Sequence, residues 1–209
     1  VARFPSVDAN DDAEDDTIKV ALVGKPNVGK SSLINKILGE DRVIVSNVAG
    51  TTRDAIDALV HKNGQDYTFI DTAGMRKRSR VEEGVEHYSV IRSLGAVDRS
   101  DVCVIMIDAQ EGVTEQDTKI AGYAHEQGKA CVIAVNKWDL VEKDGKTMDQ
   151  FRKKVAEGLS FMLYAPVVFI SAVTGQRLDR LFELIQFVRT QNTIRIRTGA
   201  LNDVLNEAT

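Results

Sequence analysis

Residues Gly24-Lys25-Pro26-Asn27-Val28-Gly29-Lys30-Ser31 fit the G-x-x-x-x-G-K-S spacing of a loop that cradles phosphate. Its glycines let the backbone curl so that successive N–H groups face one anion-sized hollow. A helix starting at the end of the loop adds its positive dipole to that hollow. Lys30 is placed to reach the β- and γ-phosphates of a nucleotide. The Ser31 hydroxyl, followed by Ser32, is placed to bind Mg²⁺.

Asp71-Thr72-Ala73-Gly74 follows a β-rich run. A carboxylate at the C-terminal end of a strand, beside a phosphate site, suits the outer shell of Mg²⁺. The Gly74 N–H is then placed to meet a terminal phosphate and register its loss. Between the two motifs, Gly50-Thr51-Thr52-Arg53-Asp54 reads as a loop whose Thr52 hydroxyl completes the Mg²⁺ shell.

A third group, Asn136-Lys137-Trp138-Asp139, selects a base. The two carboxylate oxygens of Asp139 match the N1–H and 2-amino donors of guanine. Adenine lacks the 2-amino group and presents an acceptor at N1, so it leaves that carboxylate unpaired. The aliphatic stem of Lys137 can lie over a purine ring, and Asn136 can tie loops together. Trp138 occupies the variable position of the motif. Ser171-Ala172 ends a later apolar run and offers a backbone N–H to guanine O6.

These motifs need a scaffold that brings loop ends together. Short apolar runs alternate with amphipathic segments, the pattern of a mostly parallel sheet flanked by helices. Strands are expected over Ile18–Val23, Val102–Ile107, Ala130–Asn136 and Pro166–Ile170, with Ala55–Lys62 and Asp66–Asp71 forming a hairpin around Asn63-Gly64. A helix follows the glycine loop, with Leu33, Ile34, Ile37 and Leu38 on one face. Further helices are expected over Glu83–Ser93, Glu115–Gln127, Thr147–Leu159 and Leu178–Arg189. The fold class is a three-layer α/β P-loop NTPase, its sheet mostly parallel with one antiparallel edge strand.

The chain has 209 residues, 43% of them hydrophobic and 28% charged, with 2 cysteines. That length buries a real core without disulfides or metal staples, and Cys103 and Cys131, inside apolar runs, read as reduced core thiols. No apolar run approaches the roughly 20 residues of a membrane span. His61, His87 and His125 have no metal-ligand spacing.

Six acids (Asp8, Asp11, Asp12, Glu14, Asp15 and Asp16) against Arg3 give residues 1–16 a net charge of −5, so the rest of the chain carries +1 of the total −4. Such a stretch is too polar and self-repelling to fold alone. A near-neutral body without aromatic-interleaved basic strips argues against a nucleic-acid-binding module. The chain does not begin with Met, and we read it as a piece of a longer polypeptide that starts in a linker. Thr193-Ile194-Arg195-Ile196-Arg197 alternates like a strand, and Thr198 can cap a helix carrying Leu201, Val204 and Leu205.

The motif order resembles the translation-factor-related GTPases of the P-loop class from about Thr17 to Thr190. Gly50-Thr51-Thr52-Arg53-Asp54, Asp71-Thr72-Ala73-Gly74-Met75 and Glu83-Gly84-Val85-Glu86-His87-Tyr88-Ser89 look like the Der (EngA) family. Those bacterial proteins carry two tandem GTPase domains and a C-terminal KH-like domain, and act in assembly of the large ribosomal subunit. The resemblance, closest to the second GTPase domain, implies an acidic linker at 1–16, a GTPase domain at 17–192 and the truncated start of a KH-like domain at 193–209. It implies GTP or GDP as ligand, Mg²⁺ as cofactor and a cytoplasmic location. It also implies the large ribosomal subunit or its rRNA, and the first GTPase and KH-like domains, as partners.

Where many P-loop GTPases place a water-orienting glutamine after Gly74, this chain has Met75, which neither donates nor accepts usefully. In related GTPases with a hydrophobic residue there, an asparagine at the Asn27 position helps hold K⁺ against the phosphates. A cation there stabilises charge that develops on the β–γ bridge. The resemblance thus implies slow, K⁺-assisted hydrolysis with Lys30, Asn27 and Thr52 as catalytic residues. The alternative is a nucleotide-binding switch with little intrinsic hydrolysis that controls docking of neighbouring domains. Arg76-Lys77-Arg78-Ser79-Arg80 reads either as a solvated loop or as a docking surface for RNA or another domain.

Overall fold

The computed structural model describes residues 16–39, 44–46, 57–72 and 94–193. The largely apolar run Ile18–Val23 forms β1, which ends where Gly24 opens the phosphate loop, and Lys30–Leu38 follows as α1. The remaining strands are β2 (Ile44–Ser46), β3 (Ala58–Lys62), β4 (Gln65–Phe69), β5 (Val102–Asp108), β6 (Ala130–Asn136) and β7 (Val167–Phe169). The longer helices are α2 (Glu115–Glu126), α3 (Thr147–Gly158) and α4 (Leu178–Thr193), with a short helical segment at 94–99.

The seven strands lie in the order β2-β3-β4-β1-β5-β6-β7. From β4 to β7 every neighbouring pair is parallel, whereas β3 runs against both β2 and β4. The antiparallel strand therefore lies one place in from the edge, because the three-residue β2 covers it. The β3–β4 turn at Asn63-Gly64 has φ values of 54° and 78°, the left-handed pair that a two-residue I′ hairpin needs.

All seven residues of β5 and of β6 are buried, and their side chains alternate between the two faces of the sheet. Val20, Val104 and Val132 face one way and pack with Leu33, Ile34 and Ile37 of α1 and Leu181 and Ile185 of α4. Ala21, Ile105 and Ile133 face the other way and pack with Ile120 and Ala121 of α2 and Val155 of α3. Helices on both faces make three layers, and each fully buried aliphatic side chain contributes about 1.5–3 kcal/mol.

Several element ends differ from the sequence expectation. β4 stops at Phe69, so Asp71 lies two residues beyond the strand, in left-handed backbone with φ 57°. α4 runs on past Arg189 to Thr193, whose hydroxyl donates to the Arg189 and Thr190 carbonyls at 3.1 and 3.0 Å. That helical turn takes Thr193 out of the strand expected over Thr193–Arg197. The acidic residues before Asp16, the loop Gly50–Asp54, Ala73 to Arg80, the helix over Glu83–Ser93 and everything from Ile194 lie outside the described residues.

Candidate functional site

Parallel strands point their C-terminal ends to one edge of the sheet, and a ligand crevice forms there where successive connections leave in opposite directions. Here β1 is that point: the chain continues to β2–β4 on one side and to β5–β7 on the other. The loop Gly24–Gly29, Asp71, the turn after β5, Asn136–Asp139 and Ser171-Ala172 all follow C-terminal strand ends along this edge.

Two glycines of the phosphate loop are dictated by close approach. A Cβ on Gly24, φ 146°, would stand 2.6 Å from the Met106 carbonyl oxygen, and one on Gly29, φ 104°, would collide with the Asn136 amide. Asn27 sits at the exposed tip with φ 61° beside exposed Pro26, and Val28 is buried. Lys30 lies in the first residue of α1, and its Nζ donates to the Gly24 and Lys25 carbonyls, both at 2.6 Å. Ser31 and Ser32 follow in that first turn, Ser31 half-buried and Ser32 exposed.

Asn136 ties the loops, as its place in the sequence suggested. Its Nδ2 donates to the Val28 carbonyl at 2.8 Å, and its Oδ1 accepts from the Ala172 N–H at 2.9 Å. Of the Ser171-Ala172 backbone donors expected to offer one N–H to guanine O6, that of Ala172 is engaged by Asn136 and that of Ser171 donates to the Gln176 carbonyl at 3.3 Å. Ser171 is buried, and its hydroxyl accepts from the Thr174 N–H at 3.1 Å to shape the same turn.

Lys137 adopts φ 63°, and its Nζ meets Asp108 Oδ2 at 2.5 Å. Asp139 is exposed in the 3-10 turn Trp138–Leu140. Trp138, expected among the nucleotide-binding residues from its place in the motif, sends its side chain into the core. Its ring centroid lies 4.4 Å from that of Phe169 and 5.4 Å from that of Phe151, and it is 1% exposed. Its contribution is to anchor the turn that carries Asp139.

Asp71 is half-buried and Thr72 buried. The Asp71 N–H donates to Asp57 Oδ1 at 2.8 Å, and Asp57 Oδ2 pairs with Arg99 at 2.5 Å. This contact holds the left-handed turn from outside the motif. Ser31 and Asp71 come after adjacent parallel strands, and their hydroxyl and carboxylate are oxygen donors of the kind that suits Mg²⁺. Thr52, Ala73, Gly74 and Met75 lie outside the described residues.

Asp108 and Glu111 belong to none of the sequence motifs. Asp108 ends β5 directly across from Asn136, and Glu111 Oε2 pairs with the buried Lys25 Nζ at 2.5 Å. An acid at the C-terminal end of a strand was the signal that singled out Asp71, and Asp108 carries the same one.

The two cysteines are core residues, also directly across from one another on β5 and β6. Burial pushes the Cys103 thiol up to about 11 and the Cys131 thiol up to about 12. Among the described residues, no helix is long and apolar enough to cross a membrane.

Residues 19–137 match the family described as 50S ribosome-binding GTPase. The chain is 64% identical to GTPase Der of Acetivibrio thermocellus over 206 residues, 99% of this chain and 47% of that protein. It is 65% identical to GTPase Der of Ruminiclostridium cellulolyticum over 206 residues, 99% of this chain and 46% of that one. The chain thus spans about half the length of the curated relatives it matches. Among solved structures, it resembles Aquifex aeolicus Era bound to GDP·AlF4⁻, with a TM-score of 0.61, 29% identity and coverage of 81% of this chain and 56% of that one. It also resembles Era in complex with MgGDPNP and a segment of 16S ribosomal RNA, with a TM-score of 0.61, 28% identity and the same 81% and 56% coverage.

Proposed function

The chain belongs to the 50S ribosome-binding GTPase family, alongside the GTPase Der proteins, and on that footing we propose that it binds guanine nucleotide with Mg²⁺ and hydrolyses GTP to GDP and phosphate. The observation that carries this reading is Asn136, whose one amide joins the phosphate loop at Val28 to the base loop at Ala172. Four described motif segments, the phosphate loop, Asp71-Thr72, Asn136–Asp139 and Ser171-Ala172, lie along one sheet edge and support a site with a base at one end and phosphates at the other.

In this reading Lys30 exchanges its loop carbonyls for the β- and γ-phosphates, and the backbone N–H groups of Gly24–Gly29 surround them. Asp139 accepts from guanine N1–H and the 2-amino group, while the Lys137 stem covers the ring. Ser31, Asp71 and Thr52 would hold Mg²⁺, which, when bound, neutralises charge on the phosphates. Asn27, at the loop tip, would help hold K⁺ in place of a catalytic glutamine or arginine. The Era neighbours support nucleotide chemistry through their GDP·AlF4⁻ and MgGDPNP.

The output is conformational, through the loops around Thr52 and Gly74–Arg80. The protein's role would be in assembly of the large ribosomal subunit in the cytoplasm, alongside a first GTPase domain and a KH-like domain. The large-subunit proposal rests on the family description alone, because the RNA in the Era complex is 16S. Met75 favours a second reading, a switch that binds GTP without hydrolysing it appreciably.

One experiment separates the two. GTP turnover is measured with Mg²⁺ in K⁺ and in Na⁺ at matched ionic strength, with GDP binding and competition by ADP followed in parallel. Turnover faster in K⁺, and lost in Asn27→Ala with GDP affinity retained, supports the GTPase reading. Tight GDP binding with negligible turnover in both salts establishes the switch. Equal competition by ADP overturns guanine selection by Asp139.

A further inference from the structure

Two carboxylates at the C-terminal end of β5, Asp108 in its last residue and Glu111 in the turn that follows, each pair with a lysine of a motif loop. Asp108 Oδ2 meets Lys137 Nζ at 2.5 Å, and Glu111 Oε2 meets Lys25 Nζ at 2.5 Å. Asp108 is itself fixed: its side chain is 3% exposed, its Oδ1 accepts from the Gln110 N–H at 2.9 Å, and its backbone lies opposite Asn136 in the β5–β6 ladder. Lys137 is 30% exposed and has left-handed backbone at φ 63°, which sets the direction in which its stem leaves the chain.

We propose that Asp108 is a positioning residue for the base site, holding the Lys137 ammonium so that its stem is ordered before a purine arrives. This rests on the guanine-nucleotide reading above and adds a residue to it that no motif contains. A lysine stem has several rotatable bonds, and ordering it on binding costs affinity. An ammonium anchored to a buried, doubly held carboxylate has met that cost in the folded protein. Because stacking does not read the edge of the base, the benefit is the same for guanine and hypoxanthine. Selection between bases stays with Asp139.

The test uses Asp108→Asn, which keeps an oxygen for the Gln110 N–H and removes the charge opposite Lys137. Dissociation of GDP and of IDP is followed by stopped flow for the unaltered chain, for Asp108→Asn, for Lys137→Met and for the double variant. Thermal melting is recorded for all four. We expect Asp108→Asn to release both nucleotides about tenfold faster and to add nothing to Lys137→Met. The double variant leaves no charge stranded at the buried Asp108 position, so it should fold even if Lys137→Met, with its stranded Asp108, melts early. Asp108→Asn within about twofold of the unaltered chain, or with its full effect retained beside Lys137→Met, overturns the proposal alone. Failure of the unaltered chain to bind guanine nucleotide overturns both the proposal and the reading it rests on.

Discussion

The Asn136 side chain and the Val28 carbonyl are 108 residues apart in sequence and 2.8 Å apart in space. That bond makes the phosphate loop and the base loop one unit. Asn136→Ala leaves two buried backbone groups, the Val28 carbonyl and the Ala172 N–H, without this partner. We expect a loss of about 2–4 kcal/mol in stability, read by urea denaturation, together with weaker GDP binding. Asn136→Asp should be worse, since a carboxylate oxygen then faces the Val28 carbonyl.

Gly24→Ala tests the close approach of the phosphate loop to β5. Both the φ of 146° and the 2.6 Å gap to the Met106 carbonyl oppose a methyl group. The expected cost is about 2–4 kcal/mol, measured as a fall in melting temperature of the nucleotide-free chain. Gly64→Ala is the contrast: at φ 78° it is strained, but nothing lies within 4 Å of the added carbon, so its cost should stay near 1 kcal/mol.

Glu111→Gln removes the charge opposite a buried ammonium. Glu111 is 58% exposed while the Lys25 side chain is 9% exposed, so the loss falls mostly on the lysine. The variant should be less stable by about 1 kcal/mol, with GDP bound more weakly because Lys25 also presents a carbonyl to Lys30. Glu111→Gln beside Lys25→Met should recover the stability. Chemical denaturation of both variants reads this directly.

The thiols of Cys103 and Cys131 should resist alkylation in the folded chain. With values raised by burial to about 11 and about 12, both are protonated at pH 8, and the reactive thiolate is scarce. Labelling with iodoacetamide should be slow at pH 8 and should speed up only when urea unfolds the chain. Rapid labelling under native conditions would contradict the packing of β5 against β6.

The parts of the fold legible in sequence are those in which a local pattern carries the whole signal. Ala130–Asn136 reads as a doubly buried strand because every residue before Asn136 is apolar. The Asn63-Gly64 turn reads from two residues. Ile44–Ser46 is too short to show a period, so β2 and the covered position of β3 were not legible. The site divides in the same way. The phosphate loop, Asp71 and Asn136–Asp139 are contiguous motifs whose chemistry is set by residue type and spacing. Asp108 with Lys137, Lys25 with Glu111, and Asp57 with Arg99 are pairs created by strand order, which no spacing states.

The Lys30 ammonium lodges between two carbonyl oxygens of its own loop, each 2.6 Å away. An incoming phosphate therefore meets a cation with at least two of its three N–H donors already engaged, and binding exchanges those partners rather than capturing a bare charge. The initial pull on the anion comes from the backbone N–H groups and the α1 dipole, which need no release. On the proposed reading, the lysine would turn over to the phosphates after the anion is seated. Nucleotide entry should thus have two kinetic phases, the first sensitive to ionic strength and the second independent of nucleotide concentration.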